Sequence, residues 1–517
     1  MILQKNKRIG IWGFGIVGKS AANYLHNQGY QLSIMDKRNP SEQERNYIKE
    51  KNITWYNESE QEQFFNSCDI IIPSPGINIS QSCYATHKDK WVHELDFFYK
   101  AFKKPIIAIT GSIGKTSTTH ILGHIFKALS IPVVVGGNIG IPTFDLINQQ
   151  DTVDYAILEV SSFQLNHCTK FASQLAIWTN FHPNHLDHHA HEQEYFSAKE
   201  NIVAHQTEDQ LSLVHFTLRS KMRAPVEKHK RSYFSKDCPT NEELNSLTNN
   251  EQVYYVSSPA RPELVEGYPR ALEENPSTCL RQGFGRHGKF SRQVFTAELD
   301  EASGRAQEKI NLKISSVMRY AHGIHTLVMK LTPALLDLTF LENIVLLIAA
   351  CDLLKLDSTV LQATAHDVQL PQHRVEKIGT LNNIDFYNDS KATTTASTLA
   401  AVDKLYNRPL HLFLGGLSKG VDRAPFIKQL QNKTKHIYCF GKEAEALYNM
   451  CLMYQIPATQ CTTLDEAVAM CTTTMQSGDC VLLSPAGSSY DLYDNYEQRG
   501  KHFKELVMNY IKNGAPN

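Results

Sequence analysis

Two glycine turns in this chain have the spacing that holds phosphate. Gly13-Phe14-Gly15-Ile16-Val17-Gly18 follows the apolar run Arg8 to Trp12 and opens a helical pattern over Lys19 to Gln28, and Asp36 closes the next apolar run. Glycines so placed let a backbone approach a diphosphate, while the helix start supplies N–H donors and a positive dipole end. On these residues alone, a dinucleotide and a nucleotide sugar both stay open. The second turn, Gly111-Ser112-Ile113-Gly114-Lys115-Thr116-Ser117, follows Pro105 to Thr110. Its spacing is the compact GxxGKT; the full GxxxxGK[ST] is not met, since position 109 is Ile. The chemistry survives the shorter loop. Backbone N–H groups cradle phosphate, Lys115 reaches the β/γ oxygens, and the Thr116 hydroxyl meets Mg²⁺. A nucleoside triphosphate site is expected here.

Downstream groups would complete such a site. Glu159 ends the run Tyr155 to Leu158, where a Mg²⁺ ligand belongs. The stretch His182-Pro-Asn-His185-Leu-Asp187-His188-His189-Ala-His191 invites a zinc reading, but it holds no cysteine and lacks the spacing of a helical zinc pair. One or two of these histidines meeting Mg²⁺ or phosphate is the better expectation. For Lys199, in Tyr195-Phe-Ser-Ala-Lys199, spacing alone predicts a solvent-facing helix lysine.

These groups need elements to position them, and three regions show strands alternating with helices. The first runs to about Lys100, with runs at Arg8 to Trp12, Gln31 to Met35 and Asp69 to Ile72. The second has runs at Pro105 to Thr110, Pro132 to Val135, Asp154 to Val160 and Leu175 to Thr179. The third starts near Pro371 with strands expected at Ile384 to Tyr387, Leu410 to Leu414, His436 to Phe440 and Cys480 to Leu483, and ends on an amphipathic helix, Glu497 to Lys512. Strand, turn, helix, strand is a parallel βαβ unit, and ligands collect at the C-terminal ends of such strands. From about Thr207 to Ser316 the pattern weakens, and over Ser257 to Gln307 it nearly disappears in a Pro-, Gly- and Arg-rich stretch that reads as an exposed irregular insertion.

Composition narrows the function classes. The chain has 517 residues, with Lys+Arg 52 against Asp+Glu 53 and a formal net charge of -1, so whole-chain nucleic-acid electrostatics is excluded as its main business. Its apolar runs, such as Ile344 to Ala350, fall far short of the ~20 residues that span a bilayer. The start, MILQKNKR, has no signal-peptide pattern, and the 11 cysteines lack CxxC pairs, as expected for reduced thiols in the cytoplasm.

Further motifs carry a family resemblance. Gly111 to Thr116, Gly137-Asn138-Ile-Gly140, Leu158-Glu159-Val-Ser-Ser-Phe-Gln-Leu165, Asn180 to Asp187 and Ala198-Lys199 stand in the order of the ATP-dependent Mur ligases. Leu370-Pro-Gln-His-Arg374, Asn388-Asp389-Ser-Lys391-Ala-Thr393, Gly415-Gly416 with Lys419, and Ser484-Pro-Ala486 extend the match. The ending Ser489 to Gly500 and the turn Ser74-Pro-Gly76-Ile77 resemble the D-glutamate-adding branch. The resemblance covers the chain except about Thr207 to Leu336.

The resemblance implies an α/β chain of three domains. These are a Rossmann-like UDP-sugar domain over 1–100, a central P-loop ATPase-like domain over 101–370 with an irregular insertion at about 207–316, and a Rossmann-like amino-acid domain over 371–517. It implies an ATP-dependent acid–D-amino-acid ligase acting on UDP-N-acetylmuramoyl-L-alanine and D-glutamate through an acyl phosphate, in peptidoglycan precursor synthesis. Lys115, Glu159, His185 and Lys199 would be catalytic. Gly111, Ser112, Gly114, Lys115, Thr116, Ser117, Asn343, Arg374 and Asp389 would bind ATP. Two Mg²⁺ ions would meet Thr116, Glu159, His185 and a CO₂-derived carbamate on Lys199, which overrides the solvent-facing expectation for that lysine. Gly13, Phe14, Gly15, Gly18, Asp36, Arg38, Ser74, Gly76 and Asn138 would bind the UDP-sugar, and Lys391, Thr393, Lys419, Ser489 and Tyr496 the D-glutamate. Neither a nucleic-acid partner nor a membrane span is expected, and a monomer is, since one chain contains the full set.

The chain departs from the family pattern at Ile113, where an Asn is usual, and at Thr394. It also departs at Thr339-Phe340-Leu-Glu-Asn343, where the family's His-Asn-x-x-Asn run leaves only Asn343 to meet adenine. Competing readings are a sister ligase for another amino acid, a folate-extending ligase, a degenerate nucleotide sensor and a P-loop motor. The absence of Asp-Asn-Pro-Arg argues against the diaminopimelate-adding enzyme, and the N-terminal glycine turn against the folate enzyme.

Overall fold

The computed structural model describes residues 6–77, 79, 82–184, 189–223, 229–237, 239–240, 242–243, 246–247, 251–256, 310–318, 324–331, 335, 338–405, 408–418 and 420–513. His185, Lys419 and the expected insertion over 257–307 lie outside these residues.

Three α/β sheets follow one another along the chain. The first holds β1 (Arg8–Trp12), β2 (Gln31–Asp36), β3 (Thr54–Asn57) and β4 (Ile70–Pro73), all parallel, in the order β3-β2-β1-β4. The second holds β5 (Ile106–Thr110), β6 (Val133–Gly137), β7 (Tyr155–Glu159), β8 (Leu175–Trp178), β9 (Leu211–His215), β10 (Lys230–Ser235), β11 (Glu251–Val256), β12 (Ile310–Met318) and β13 (Ile324–Leu331). Its order is β13-β12-β11-β10-β9-β8-β5-β7-β6, antiparallel only at β11-β12 and β12-β13. The third holds β14 (Glu376–Leu381), β15 (Ile384–Asn388), β16 (Leu410–Gly415), β17 (His436–Phe440), β18 (Ala458–Gln460) and β19 (Cys480–Leu483). Its order is β14-β15-β19-β16-β17-β18, with β14 the antiparallel edge.

The sequence explains the central strands directly. Every residue of β5, Ile-Ile-Ala-Ile-Thr, is buried, as in a parallel strand covered on both faces. From Ile344 to Cys351 the helix Leu341–Leu353 is apolar on every face, and it sits in the core that also holds Ile107, Ile109 and Ile121. The stretch expected to be irregular, about 207–316, contains β9, β10 and β11, which carry the central sheet onward, and most of β12. Its described part is therefore regular, and the correction has a physical cause. β10 and β11 carry polar residues such as Arg231, Ser232, Glu251 and Gln252 that are nevertheless buried, which hides the apolar signal.

The first and second sheets share one apolar core, running from Ile9 and Phe14 through Phe97 and Phe144 to Trp178. The buried Glu94 carboxylate ties the joint by accepting from the Thr143 hydroxyl at 2.5 Å and the Gln164 amide at 3.2 Å. Asp96 accepts from the N–H groups of Thr169, Lys170 and Phe171. Among the described residues, no helix is long and apolar enough to cross a membrane.

Candidate active site

The phosphate loop joins β5 to the helix Lys115–Ala128. Gly114 has φ +83, and a Cβ there would lie 2.7 Å from Asn343 Oδ1, so only glycine fits this turn. The loop is held from outside. Asn180 Oδ1 accepts from the N–H groups of Ser112 (3.2 Å) and Ile113 (2.9 Å), and the Thr179 hydroxyl donates to the Ile113 carbonyl at 2.6 Å. These bonds take the place of side-chain support from position 113, whose isoleucine lines the adjacent cavity. The first helical N–H groups, from Lys115 onward, are the ones helix geometry leaves for an anion.

The charged groups stand close around this loop. Thr116 donates to Glu159 Oε2 at 2.7 Å, and Asn138 Nδ2 donates to Glu159 Oε1 at 3.1 Å. Arg374, from the segment leading into the third sheet, donates through Nη2 to the Thr116 hydroxyl. Lys115 Nζ turns back onto the carbonyls of Gly111 (2.8 Å) and Ser112 (3.2 Å). Lys199 is buried, contrary to the spacing-based expectation, and donates to the same Gly111 carbonyl at 2.9 Å while lying 4.8 Å from the Tyr195 ring centroid. Burial and the Lys115 charge hold the Lys199 amine well below the usual lysine range, and burial lowers Lys115 too.

A cavity of about 270 Å³ opens beside the loop. Its wall includes Ile113, Gly114 and Ser117 from the central sheet side and Arg374, Asp389 and Lys391 from the third. Arg374 sits between His373 (φ +67) and Val375 (φ +46), with one left-handed residue on each side of it. Such conformations cost about 1–3 kcal/mol each and persist only when neighbours fix them. Here the His373 N–H donates to Glu376 at 3.0 Å and the Val375 N–H to Asp389 at 3.2 Å. Burial pushes the Asp389 carboxyl up to about 7, against the Ser484 hydroxyl that favours its charged form. Burial and the neighbouring Arg374 lower Lys391 to about 8, and its ammonium lies 5.0 Å from the Tyr496 ring centroid. Thr393 follows Lys391 on the same turn, and Ser489 is buried beside the Gly487–Ser488 loop. Asn343 does not line the cavity. It sits behind the loop, donating to Thr339 Oγ1 at 2.8 Å.

The N-terminal turn forms a separate cluster. A Cβ at Gly18 would meet the Gly13 carbonyl at 1.9 Å, so the helix packs directly on the turn. Asp36 accepts from the Phe14 N–H at 2.6 Å and the Arg38 N–H at 3.0 Å, and Arg38 Nη2 donates to the Phe14 carbonyl at 3.0 Å. The Ser74 hydroxyl donates to the Gly13 carbonyl at 2.9 Å. Gly15 and Gly76 have open space where a side chain would stand. Arg38 also pairs with Glu44 at 2.7 Å, a partner that the sequence reading did not foresee.

Sequence reasoning assigned no role to Thr179, Asn180 or Tyr195. The signal for the first two was their position just past β8, at the binding end of the sheet. Among the described residues, no three His, Cys, Asp or Glu side chains come together as a metal cluster.

Two glycine turns that open helices after β1 and β5, with a third sheet facing the second turn across one cavity, are the layout of a modular ligase, and comparison with known proteins agrees. Family models match as "Mur ligase MurD-like, N-terminal domain" over residues 7–93, "Mur ligase middle domain" over 109–258 and "Mur ligase, glutamate ligase domain" over 373–487. The chain belongs to the Mur ligase family. It is 28% identical over 511 residues to the UDP-N-acetylmuramoylalanine–D-glutamate ligase of Acidobacterium capsulatum, covering 98% of this chain and 96% of that one. It is 28% identical to the enzyme of the same name from Christiangramia forsetii, covering 97% and 99%. Among solved structures, the MurF ligase of Thermotoga maritima in complex with ADP superposes with a TM-score of 0.54 at 13% identity, covering 93% of this chain and 95% of that one. At that identity the likeness concerns the fold.

Proposed function

We propose that the chain is an ATP-dependent ligase that joins D-glutamate to the L-alanine carboxylate of UDP-N-acetylmuramoyl-L-alanine in peptidoglycan precursor synthesis. One observation carries the reading. Arg374, from the segment entering the third sheet, donates to Thr116 of the phosphate loop, which donates to Glu159, while Lys391 borders the same cavity. Nucleotide and amino-acid ends would thus meet at one point.

In this reading the carboxylate attacks the γ-phosphorus of ATP, giving an acyl phosphate and ADP. The amine of D-glutamate then attacks the acyl carbon and loses a proton. The tetrahedral intermediate collapses by expelling phosphate. Lys115 and Arg374 neutralise charge that builds on the transferred phosphoryl group. Asn138 orients Glu159 and reaches toward the acceptor carboxylate. Lys391, Thr393, Ser489 and Tyr496 receive the dicarboxylate, for which cationic and hydroxyl donors are the fitting partners. Gly13 to Gly18, Asp36, Arg38, Ser74 and Gly76 hold the uridine diphosphate.

The Thr116 hydroxyl and the Glu159 carboxylate, in mutual contact and nearly closed to solvent, fit a hard cation such as Mg²⁺. When bound, that ion would screen phosphate charge and polarise the reacting oxygens. Lys199 fits a carbamate because its buried amine is biased toward the neutral form that reacts with CO₂. The test is mass-spectrometric detection of the D-glutamyl product from ATP, the UDP-sugar and D-glutamate. No product with D-glutamate, alongside product with another amino acid, would reassign the substrate.

A further inference from the structure

Arg499 stands in the first turn of the helix Tyr496–Asn513, and its side chain is fully buried. Its guanidinium fastens that helix to two other segments. Nε donates to the Ser390 hydroxyl at 3.0 Å and Nη2 to the Ser390 carbonyl at 2.8 Å. Nη1 and Nη2 donate to the Gly487 carbonyl at 3.2 and 3.1 Å. The Ser390 hydroxyl in turn donates to the Tyr496 carbonyl at 2.8 Å, which closes the ring back onto the helix that carries Arg499.

These contacts fall beside the residues that would receive D-glutamate. Ser390 precedes Lys391, Gly487 stands just before Ser488 and Ser489, and Tyr496 opens the helix. Lys391 and Tyr496 already face each other, with 5.0 Å between ammonium and ring centroid. A further segment joins them. Leu417 and Ser488 exchange backbone hydrogen bonds at 2.9 and 3.0 Å, and a Cβ at Gly416 would lie 3.0 Å from Arg499 Nη1. One planar fork thus fixes the spacing between the turns that follow β15 and β19 and the start of the helix.

The nucleotide end has supports of its own. Asp389 accepts from the Ser484 hydroxyl at 2.8 Å and the Val375 N–H at 3.2 Å, and Arg374 reaches Thr116. None of these bonds passes through Arg499. Its charge is a second sign of a role beyond cross-linking, since neutral amide donors could serve two carbonyls and a hydroxyl. Among the described residues no carboxylate accepts from Arg499, and Asp491 and Asp389 act on it only at longer range, against Arg423. A buried cation without a hydrogen-bonded counter-ion is costly. A dicarboxylate docked beside it would supply the missing negative charge.

We propose that Arg499 is the positioning residue of the amino-acid pocket, setting the spacing of Lys391, Ser489 and Tyr496 so that D-glutamate, and not the nucleotide, depends on it for affinity. The proposal rests on the D-glutamate reading above.

The test is steady-state kinetics of full-length Arg499→Lys and Arg499→Met, with D-glutamate and ATP varied in turn. A lysine keeps the charge, but a point donor cannot copy the fork that spans Ser390 and Gly487. Both variants are expected to raise the KM for D-glutamate about tenfold or more, with the KM for ATP nearly unchanged and kcat falling less than that KM rises. Ser390→Ala removes the hydroxyl alone. It should shift the D-glutamate KM the same way by less, and it decides the matter if neither Arg499 variant folds. An unchanged D-glutamate KM in a folded variant overturns the proposal, as does a KM for ATP that rises in step, the mark of a general structural loss. If the unmodified protein couples a different amino acid, the D-glutamate reading fails alone, and the same KM comparison with that amino acid decides the role of Arg499. Turnover with no amino acid overturns both.

Discussion

Lys115 and Lys199 donate to a single atom, the carbonyl oxygen of Gly111, at 2.8 and 2.9 Å. Two ammonium groups on one buried carbonyl repel each other, and desolvation penalises both charges. Lys199 gives way further, held well below the ordinary lysine range by burial and then by Lys115. A neutral amine at this position can add CO₂, and the resulting carbamate anion would pair with Lys115 in place of opposing it.

Turnover should therefore depend on dissolved CO₂. In CO₂-depleted buffer the initial rate should fall severalfold, and bicarbonate at constant pH should restore it. Lys199→Arg keeps a cation and cannot form the carbamate. It should lose about a hundredfold or more in kcat, the scale on which charged active-site groups act, whatever the bicarbonate concentration. Rates indifferent to CO₂ in the unmodified protein would refute this role.

The Arg374–Thr116–Glu159 chain is the link between the third sheet and the phosphate loop. Arg374→Met should lower kcat by about 10²–10³, the cost of removing one preorganised donor from a developing anion. Arg374→Lys should recover little, because a single ammonium cannot copy the planar fork. Steady-state kinetics with varied ATP would check both variants.

Asn180 braces the loop through the N–H groups of Ser112 and Ile113 and through the Ile113 carbonyl. Asn180→Ala leaves those groups without their partner, at a cost of about 1–3 kcal/mol. Denaturant unfolding should show that loss, together with a raised KM for ATP. A variant with unchanged stability and an unchanged KM would show that the loop holds itself.

Lys391 should set an alkaline limit on amino-acid binding. Its ammonium is lowered to about 8, chiefly by burial, so it is mostly charged at pH 7 and mostly neutral at pH 9. A neutral amine holds a carboxylate poorly, so the KM for D-glutamate should rise as pH passes 8. Lys391→Met should show a high KM at both pH values with that inflection gone, as a pH series of initial rates would reveal.

The strands with short apolar runs were legible in the sequence. β1, β5, β16, β17 and β19 fall within a residue of the expected runs because their burial on both faces leaves a continuous hydrophobic signature. β3, β10, β11 and β14 were not, since polar and half-buried positions interrupt the pattern. Both glycine turns were readable from spacing. The burial of Lys199 was not, because a helix lysine facing a loop carbonyl has the same spacing as one facing water. Nor could the sequence show that Asn180 braces the loop or that Asn343 turns away from the cavity. Both depend on contacts across 67 or more positions or on packing behind a bend. His185 and Lys419 keep only the roles the resemblance implies.

Phosphate release from ATP in the presence of UDP-N-acetylmuramoyl-L-alanine reads out whether this chain is a D-glutamate ligase. It should be measured with D-glutamate, L-glutamate, meso-diaminopimelate, L-lysine and no amino acid. Release should depend on D-glutamate and stay near background with the others. Equal release without any amino acid, or release driven by a different one, would contradict it.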